Sequence, residues 1–151
     1  MEKWRKQSIS VLTVALGICC LLSLSAFAEP LRPTVNLDGE WSFKMDRQNV
    51  GETEQWHGDA VPFDDTILVP GAWEAQGFGE ATDKLKHHFI GKGWYKREVE
   101  VPAAWSGRRV FLCIGGVHRY AAVWVNGVSF GEHIGCLSPF EYDITDCAPP
   151  G

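Results

Sequence analysis

From Tyr120 to Gly135 the chain reads Y-A-A-V-W-V-N-G-V-S-F-G-E-H-I-G, with an unbroken apolar run up to Val125 and a second short stretch after Asn126-Gly127. A run without polar interruption suits a strand covered on both faces. Asn-Gly accepts positive φ at both central positions of a type I′ turn, so the pattern predicts a reversal there and a return strand over Val128 to Gly131. This hairpin is the expected centre of the fold.

Upstream and downstream the periodicity is that of strands. Trp41, Phe43 and Met45 alternate with polar residues over Glu40 to Met45, a half-buried strand entered through Leu37-Asp38-Gly39. Asp46 to Gly58 is a polar loop with Trp56 as its one large anchor. Ile67-Leu68-Val69 is a short strand stopped by Pro70-Gly71. From Gly93 to Pro102, Tyr95, Arg97, Val99 and Val101 fall on one face and Trp94, Lys96, Glu98 and Glu100 on the other. Arg97, on the apolar face, is expected to pack its stem and bring its guanidinium to a carboxylate. Arg109 to Ile114 and Phe140 to Thr145 follow, the latter with Phe140, Tyr142 and Ile144 inward, and Cys113 reads as core packing. About seven strands and no amphipathic helix after the first 28 residues predict an all-β, antiparallel β-sandwich, most simply a jelly roll. Pro149-Pro150-Gly151 stands where a further strand is expected, so the sandwich is expected to be incomplete at the C-terminus.

Between these strands, Ala72 to Lys92 keeps no period and mixes Trp73, Gln76, Phe78, His87, His88 and Phe89 with glycines. A loop of this length in a small domain is usually functional, and its aromatics argue against simple disorder.

Composition narrows the setting. With 151 residues, 45% hydrophobic, 16 Gly and 8 Pro, the chain fits one turn-rich globular domain. Lys3, Arg5 and Lys6, the apolar Ile9 to Leu24 and Ala26-Phe27-Ala28 read as a secretory signal peptide over residues 1–28, cleaved at about Ala28. Glu29 to Asn36, with Pro30 and Pro33, is then an extended lead-in, and 37–151 the folded domain. The expected location is exported, periplasmic or extracellular, with no membrane association after cleavage. Losing the leader takes Lys+Arg from 14 to 11 and Asp+Glu from 19 to 18, so the net charge moves from -5 to -7. An acidic chain without a basic stripe is a poor partner for nucleic acid. Cys113, Cys136 and Cys147 remain, an odd number without regular spacing, which argues against a disulfide framework.

Four ordered blocks carry a resemblance: V-P-G-A-W-E-A-Q-G-F-G from Val69, G-W-Y-K-R-E-V-E-V-P-A-A-W from Gly93, V-W-V-N-G from Val123 and S-P-F-E-Y-D-I-T from Ser138. Together, from Leu37 to Asp146, they resemble the amino-terminal sugar-binding domain, a galactose-binding-like jelly roll, of glycoside hydrolase family 2. That family includes β-galactosidases, β-glucuronidases and β-mannosidases. The resemblance implies a carbohydrate partner and a secreted glycosidase in which an immunoglobulin-like domain and a (β/α)8 barrel follow, the barrel holding both catalytic glutamates. Those domains are absent from these residues, so no catalytic residue is assigned here, and a free-standing carbohydrate-binding module or a non-catalytic interaction sandwich are the alternatives. The family's galactosidases carry an Asn-Pro-Thr-Gly run where this chain has Ile90-Gly91-Lys92-Gly93, so galactoside specificity does not carry over. The Gly-Gly-Tyr before Pro-Phe-Glu is Gly135-Cys136-Leu137 here.

Retaining hydrolysis needs an acid and a nucleophilic carboxylate about 5–5.5 Å apart. Glu98 with Glu100, and Glu141 with Asp143, alternate along strands and face solvent instead. Gly127-Val128-Ser129-Phe130-Gly131 matches G-x-S-x-G, but the serine is placed in a hairpin strand and not at a strand-to-helix elbow. His57, His87, His88, His118 and His133 have no zinc-ligand spacing with the cysteines, so no metal and no cofactor is assigned. For sugar contact the candidates are Trp73 and Trp94, whose faces suit a pyranose, and Gln76, His87 and His88, which can bond its hydroxyls.

Overall fold

The computed structural model describes residues 32–151; the expected signal peptide lies outside them, as do the first three residues of the lead-in, 29–31. The chain divides into Met1–Val35, whose described residues hold no regular element, and Asn36–Gly151, which holds every strand among the described residues. Those strands are β1 (Gly39–Asp46), β2 (Asp65–Val69), β3 (Lys92–Lys96), β4 (Phe111–Ile114), β5 (Arg119–Val125), β6 (Val128–Gly135) and β7 (Phe140–Asp143), and among the described residues the helical elements are single 3-10 turns at Glu74–Gln76 and Ala103–Trp105. Every pairing is antiparallel, in the orders β2-β1-β3, β4-β7 and β5-β6.

The β5-β6 hairpin holds the layers together. Val125 pairs with Val128 across Asn126 (φ 48°) and Gly127 (φ 79°), the two positive φ values a type I′ turn requires. Because neighbouring side chains in a strand point to opposite faces, consecutive residues reach both layers. Trp124 stacks on Trp94 of β3 (5.4 Å between centroids, 30°) and on His57 (5.3 Å, 6°). Val125, with Phe130 of β6, packs on the cluster of Val110, Ile144 and Ala148 beside β4 and β7. Two-sided cover ends toward the start of β5, where Arg119 and Tyr120 are exposed, and β6 runs on to Gly135, beyond the expected Gly131.

In the three-stranded sheet Phe43 is fully buried, ringed by Phe78, Tyr95 and Trp73 at centroid distances of 4.6, 5.0 and 6.1 Å. Phe140, Tyr142 and Ile144 turn inward as the alternation requires, Ile144 most deeply.

Three local expectations are corrected. β3 ends at Lys96 rather than Val101: Nη1 of Arg97 donates to the carbonyls of Leu37 (2.9 Å), Asp38 (3.2 Å) and Glu40 (3.4 Å), taking acceptors that a longer ladder beside β1 would need. For the same reason Arg97 meets carbonyls and not a carboxylate. Cys113 is exposed, because Val110 and Leu112 set the inward parity of β4 and leave the thiol outside beside Glu141, 3.8 Å away.

Candidate functional site

The loop between β2 and β3 is built on an aromatic floor. Trp73 lies against Phe43 and, at 5.9 Å, Phe89, and its indole N–H donates to the Tyr95 hydroxyl. Burial pushes the Tyr95 phenol above its usual pKa, and the neighbouring Glu74 charge adds to that. The guanidinium of Arg47 sits over Phe89, 5.7 Å from the ring centre, and pairs with Glu80.

Two clamps fix the loop's ends. Gln76 accepts from Leu68 N–H through Oε1 (2.7 Å) and donates to Leu68 C=O through Nε2 (2.9 Å), so one amide satisfies the outward backbone groups of edge strand β2. Further on, Glu80 and His88 form an isolated antiparallel bridge with both N–H···O bonds at 2.9 Å. Beyond it Thr82 and Leu85 close a tight turn, Thr82 N–H reaching Leu85 C=O at 2.8 Å and Leu85 N–H reaching Thr82 Oγ1 at 3.0 Å. Residues 80–88 therefore project as a short tongue.

The tongue has a concavity on each side. One, of about 540 Å3, is lined by Glu74, Ala75, Gly77, Leu85, Lys86 and His87. The other, of about 410 Å3, is lined by Arg47, Glu80, Ala81, Thr82, His88, Phe89 and Ile90.

The five residues expected to touch sugar are thereby sorted. His87 and His88, adjacent in sequence, face different concavities. Trp73 supports the loop from beneath. Gln76 has both ends of its amide engaged by Leu68. Trp94 is 9% exposed, between Trp56 (6.1 Å) and Trp124, with its Nε1 donating to Asp46 at 3.3 Å, so it is floor and not rim. Glu74, Lys86 and Arg47 join the site without having been singled out; the only local hint was the string Lys84-Leu85-Lys86-His87-His88 in a chain otherwise rich in carboxylates.

Asp46, 3% exposed, holds the floor in place. It accepts from the backbone N–H groups of Val50 and Gly51, each at 2.9 Å, as well as from Trp94. Burial pushes its carboxyl pKa up, but these donors outweigh burial and hold it below the ordinary value. Gly51 must be glycine for this approach, since a Cβ there would lie 2.3 Å from the Trp94 indole nitrogen.

Among the described residues no group of three or more His, Cys, Asp and Glu is placed to hold a metal ion. Glu98, Glu100, Glu141 and Asp143 are all exposed, and Ser129 lies within β6. Residues 34–151 match the family described as glycosyl hydrolases family 2, sugar binding domain, and the chain belongs to that family.

Its relatives are consistent. It is 41% identical over 121 residues to a β-glucuronidase of Paenibacillus borealis, covering 80% of this chain and 20% of that one. With the human β-glucuronidase the identity is 39% over 130 residues, covering 81% and 20%. The solved structure of a β-glucuronidase from Ruminococcus gnavus in complex with C6-substituted uronic isofagomine superposes with a TM-score of 0.67 at 28% identity, over 80% of this chain and 21% of that one. The chain thus spans about a fifth of the length of the relatives it matches.

Proposed function

We propose that this chain is the sugar-binding domain of an exported glycosidase of the β-glucuronidase type, in which the catalytic carboxylates come from outside these residues. The observation that carries the reading is the 41% identity to the Paenibacillus borealis enzyme over 121 residues, 80% of this chain. The absence of the galactosidases' asparagine at Ile90-Gly91-Lys92-Gly93 supports it, and the basic, apolar and small-residue order of residues 1–28 supports export. In this role the tongue forms part of the rim that meets carbohydrate, and the aromatic floor keeps the rim in register.

The test is a domain exchange. Residues 34–151 replace the corresponding segment of the Paenibacillus borealis β-glucuronidase, and the chimera is assayed on aryl β-glucuronide and aryl β-galactoside. Glucuronide turnover within about tenfold of the parent, equivalent to about 1.36 kcal/mol of activation free energy, is expected, without gain on galactoside. A soluble, cooperatively melting chimera without glucuronidase activity would overturn the reading; glycan-array binding by the chain alone would then favour a free-standing module. Export is checked by amino-terminal sequencing of the secreted product, expected to begin at Glu29.

A further inference from the structure

From Ala81 to Lys86 every residue of the tongue is exposed. The hydrogen bonds that shape this tip stay within it: Thr82 N–H reaches Leu85 C=O at 2.8 Å, and the N–H groups of Leu85 and Lys84 reach Thr82 Oγ1 at 3.0 and 3.4 Å. Opening the tip therefore breaks a few bonds between near neighbours and draws no buried side chain into water, which puts it at the low end of local opening energies. On either side the chain is held again at once, by the backbone bridge of Glu80 with His88, by the Arg47–Glu80 pair and by Phe89 against Trp73.

The tip carries Lys84 and Lys86, and the other basic residues of the described chain are placed differently. Lys44, Lys92 and Lys96 lie within β1 and β3, and Arg119 opens β5 opposite Gly135. Arg97 is bound to three carbonyls, and Arg47, directly after β1, is paired with Glu80. Arg108 and Arg109 run into Val110, which is 4% exposed and tied by its N–H to Thr145 Oγ1 at 2.9 Å. Arg32 precedes the first strand, so a cut there trims the lead-in and leaves the fold whole.

A cut in the tip falls between β2 and β3, and the contacts that join the two sides are the strongest in the sheet. β1 pairs with β3 from Ser42 opposite Lys96 to Asp46 opposite Lys92. Asp46 accepts from the Trp94 indole, Trp56 lies 6.1 Å from Trp94, and the fully buried Phe43 lies 5.0 Å from Tyr95. Parting the two pieces would uncover Phe43 and Trp94 together.

We propose that the tongue is a processing site for a trypsin-type serine protease, which cuts after Lys84 or Lys86 and leaves a folded domain of two chains. The protease supplies the catalytic groups and water is the second reactant. The C–N bond of the Lys84–Leu85 or Lys86–His87 peptide breaks, the water oxygen joins the lysine carbonyl carbon as a new carboxylate, and the departing nitrogen takes a proton as the new amino terminus. This chain supplies a lysine on an exposed loop tip, the kind of segment where nicking concentrates, between anchors that keep both new ends in place. The inference goes beyond the function proposed above and does not depend on it.

The test is limited trypsin digestion of the full chain under native conditions, read by gel electrophoresis, intact mass and size-exclusion chromatography. The first cut within residues 36–151 is expected after Lys84 or Lys86, at least about a hundredfold faster than any other, because a site inside a strand opens only with the whole fold. The two products should co-elute, and separate only in denaturant. Replacing both lysines, Lys84→Gln with Lys86→Gln, should leave the melt unchanged and the domain uncut over the same time, while Lys84→Arg with Lys86→Arg should be cut as the parent is. The inference is overturned if the first cut in the domain falls elsewhere, if the products part without denaturant, or if the glutamine pair is digested as fast as the parent.

Discussion

Replacing Asp46 by alanine removes the acceptor for two backbone N–H groups at 2.9 Å and for the Trp94 indole at 3.3 Å, with Gly51 and Trp94 buried. A hydrogen bond to a charged group contributes about 1.5–3 kcal/mol, and a buried donor left without a partner costs about 1–3 kcal/mol. The longer indole bond and the shared acceptor make the three less than additive, so we expect a loss of about 3–5 kcal/mol, much of the stability of a domain that has about 5–15. Asp46→Asn keeps one oxygen but turns an N–H2 toward the remaining donors, and should lose about 1–2 kcal/mol. Urea unfolding followed by tryptophan emission reads this directly, since Trp56, Trp94 and Trp124 lie in the affected stack; a shift of midpoint at constant slope reports stability alone. The pH dependence gives a second arm. A carboxyl whose pKa is lowered on folding stabilises the fold above its unfolded value, here 3.8, and that contribution disappears as pH falls through the lower folded value. The parent should therefore lose stability below 3.8 more steeply than Asp46→Asn. Asp143, held down to about 2 by the hydroxyl of Thr145 and by Arg109, adds its own acid slope to both proteins and cancels in the difference. An Asp46→Ala protein within about 1 kcal/mol of the parent, or identical acid slopes for parent and Asp46→Asn, would refute the account.

Three further outcomes follow from the same packing. Trp73→Ala removes a half-buried ring from between Phe43 and Phe89 and should cost about 2–3 kcal/mol by thermal melt; an unchanged melt with weakened sugar binding would return Trp73 to the rim. Gln76→Ala uncovers Leu68 N–H and C=O on edge strand β2, which should cost about 1 kcal/mol and produce concentration-dependent association on size-exclusion chromatography, neither of which is expected if the amide is dispensable. Cys113→Ser should change stability by less than about 0.5 kcal/mol, and a larger loss would place the thiol back in the core.

What could be read from the chain was what is encoded between near neighbours. Asn126-Gly127 carries its own turn, and the alternation from Phe140 to Ile144 carries its own inward face, so both appear where expected. The end of β3 does not, because the alternation continues to Val101 while the obstacle, carbonyls taken by Arg97, sits about 60 residues upstream near Leu37. Asp46 looked like the first residue of a polar loop; its worth depends on Trp94, 48 positions away. Gln76 and Trp73 have the chemistry of sugar contacts, and nothing local distinguishes an amide offered to a hydroxyl from one spent on a strand edge. Cys113 was misplaced for want of parity, which Val110 and Leu112 decide. His87 alone among the candidates lines the hollow beside Lys86.

The way the tongue is tied down bears on how such a domain can change over generations. Gln76 on Leu68 and Glu80 opposite His88 secure its base, and the Thr82–Leu85 turn closes upon itself, so residues 81–87 owe nothing to the ladder of β1, β2 and β3. Substitutions or added residues there alter reach, charge and ligand preference while the β-layers keep their register, because lengthening a surface loop costs little in closure entropy. New specificities are accessible by drift in a stretch of seven residues, whereas Asp46, Gly51 and Trp94 form an interlocked set in which any single replacement must wait for the others.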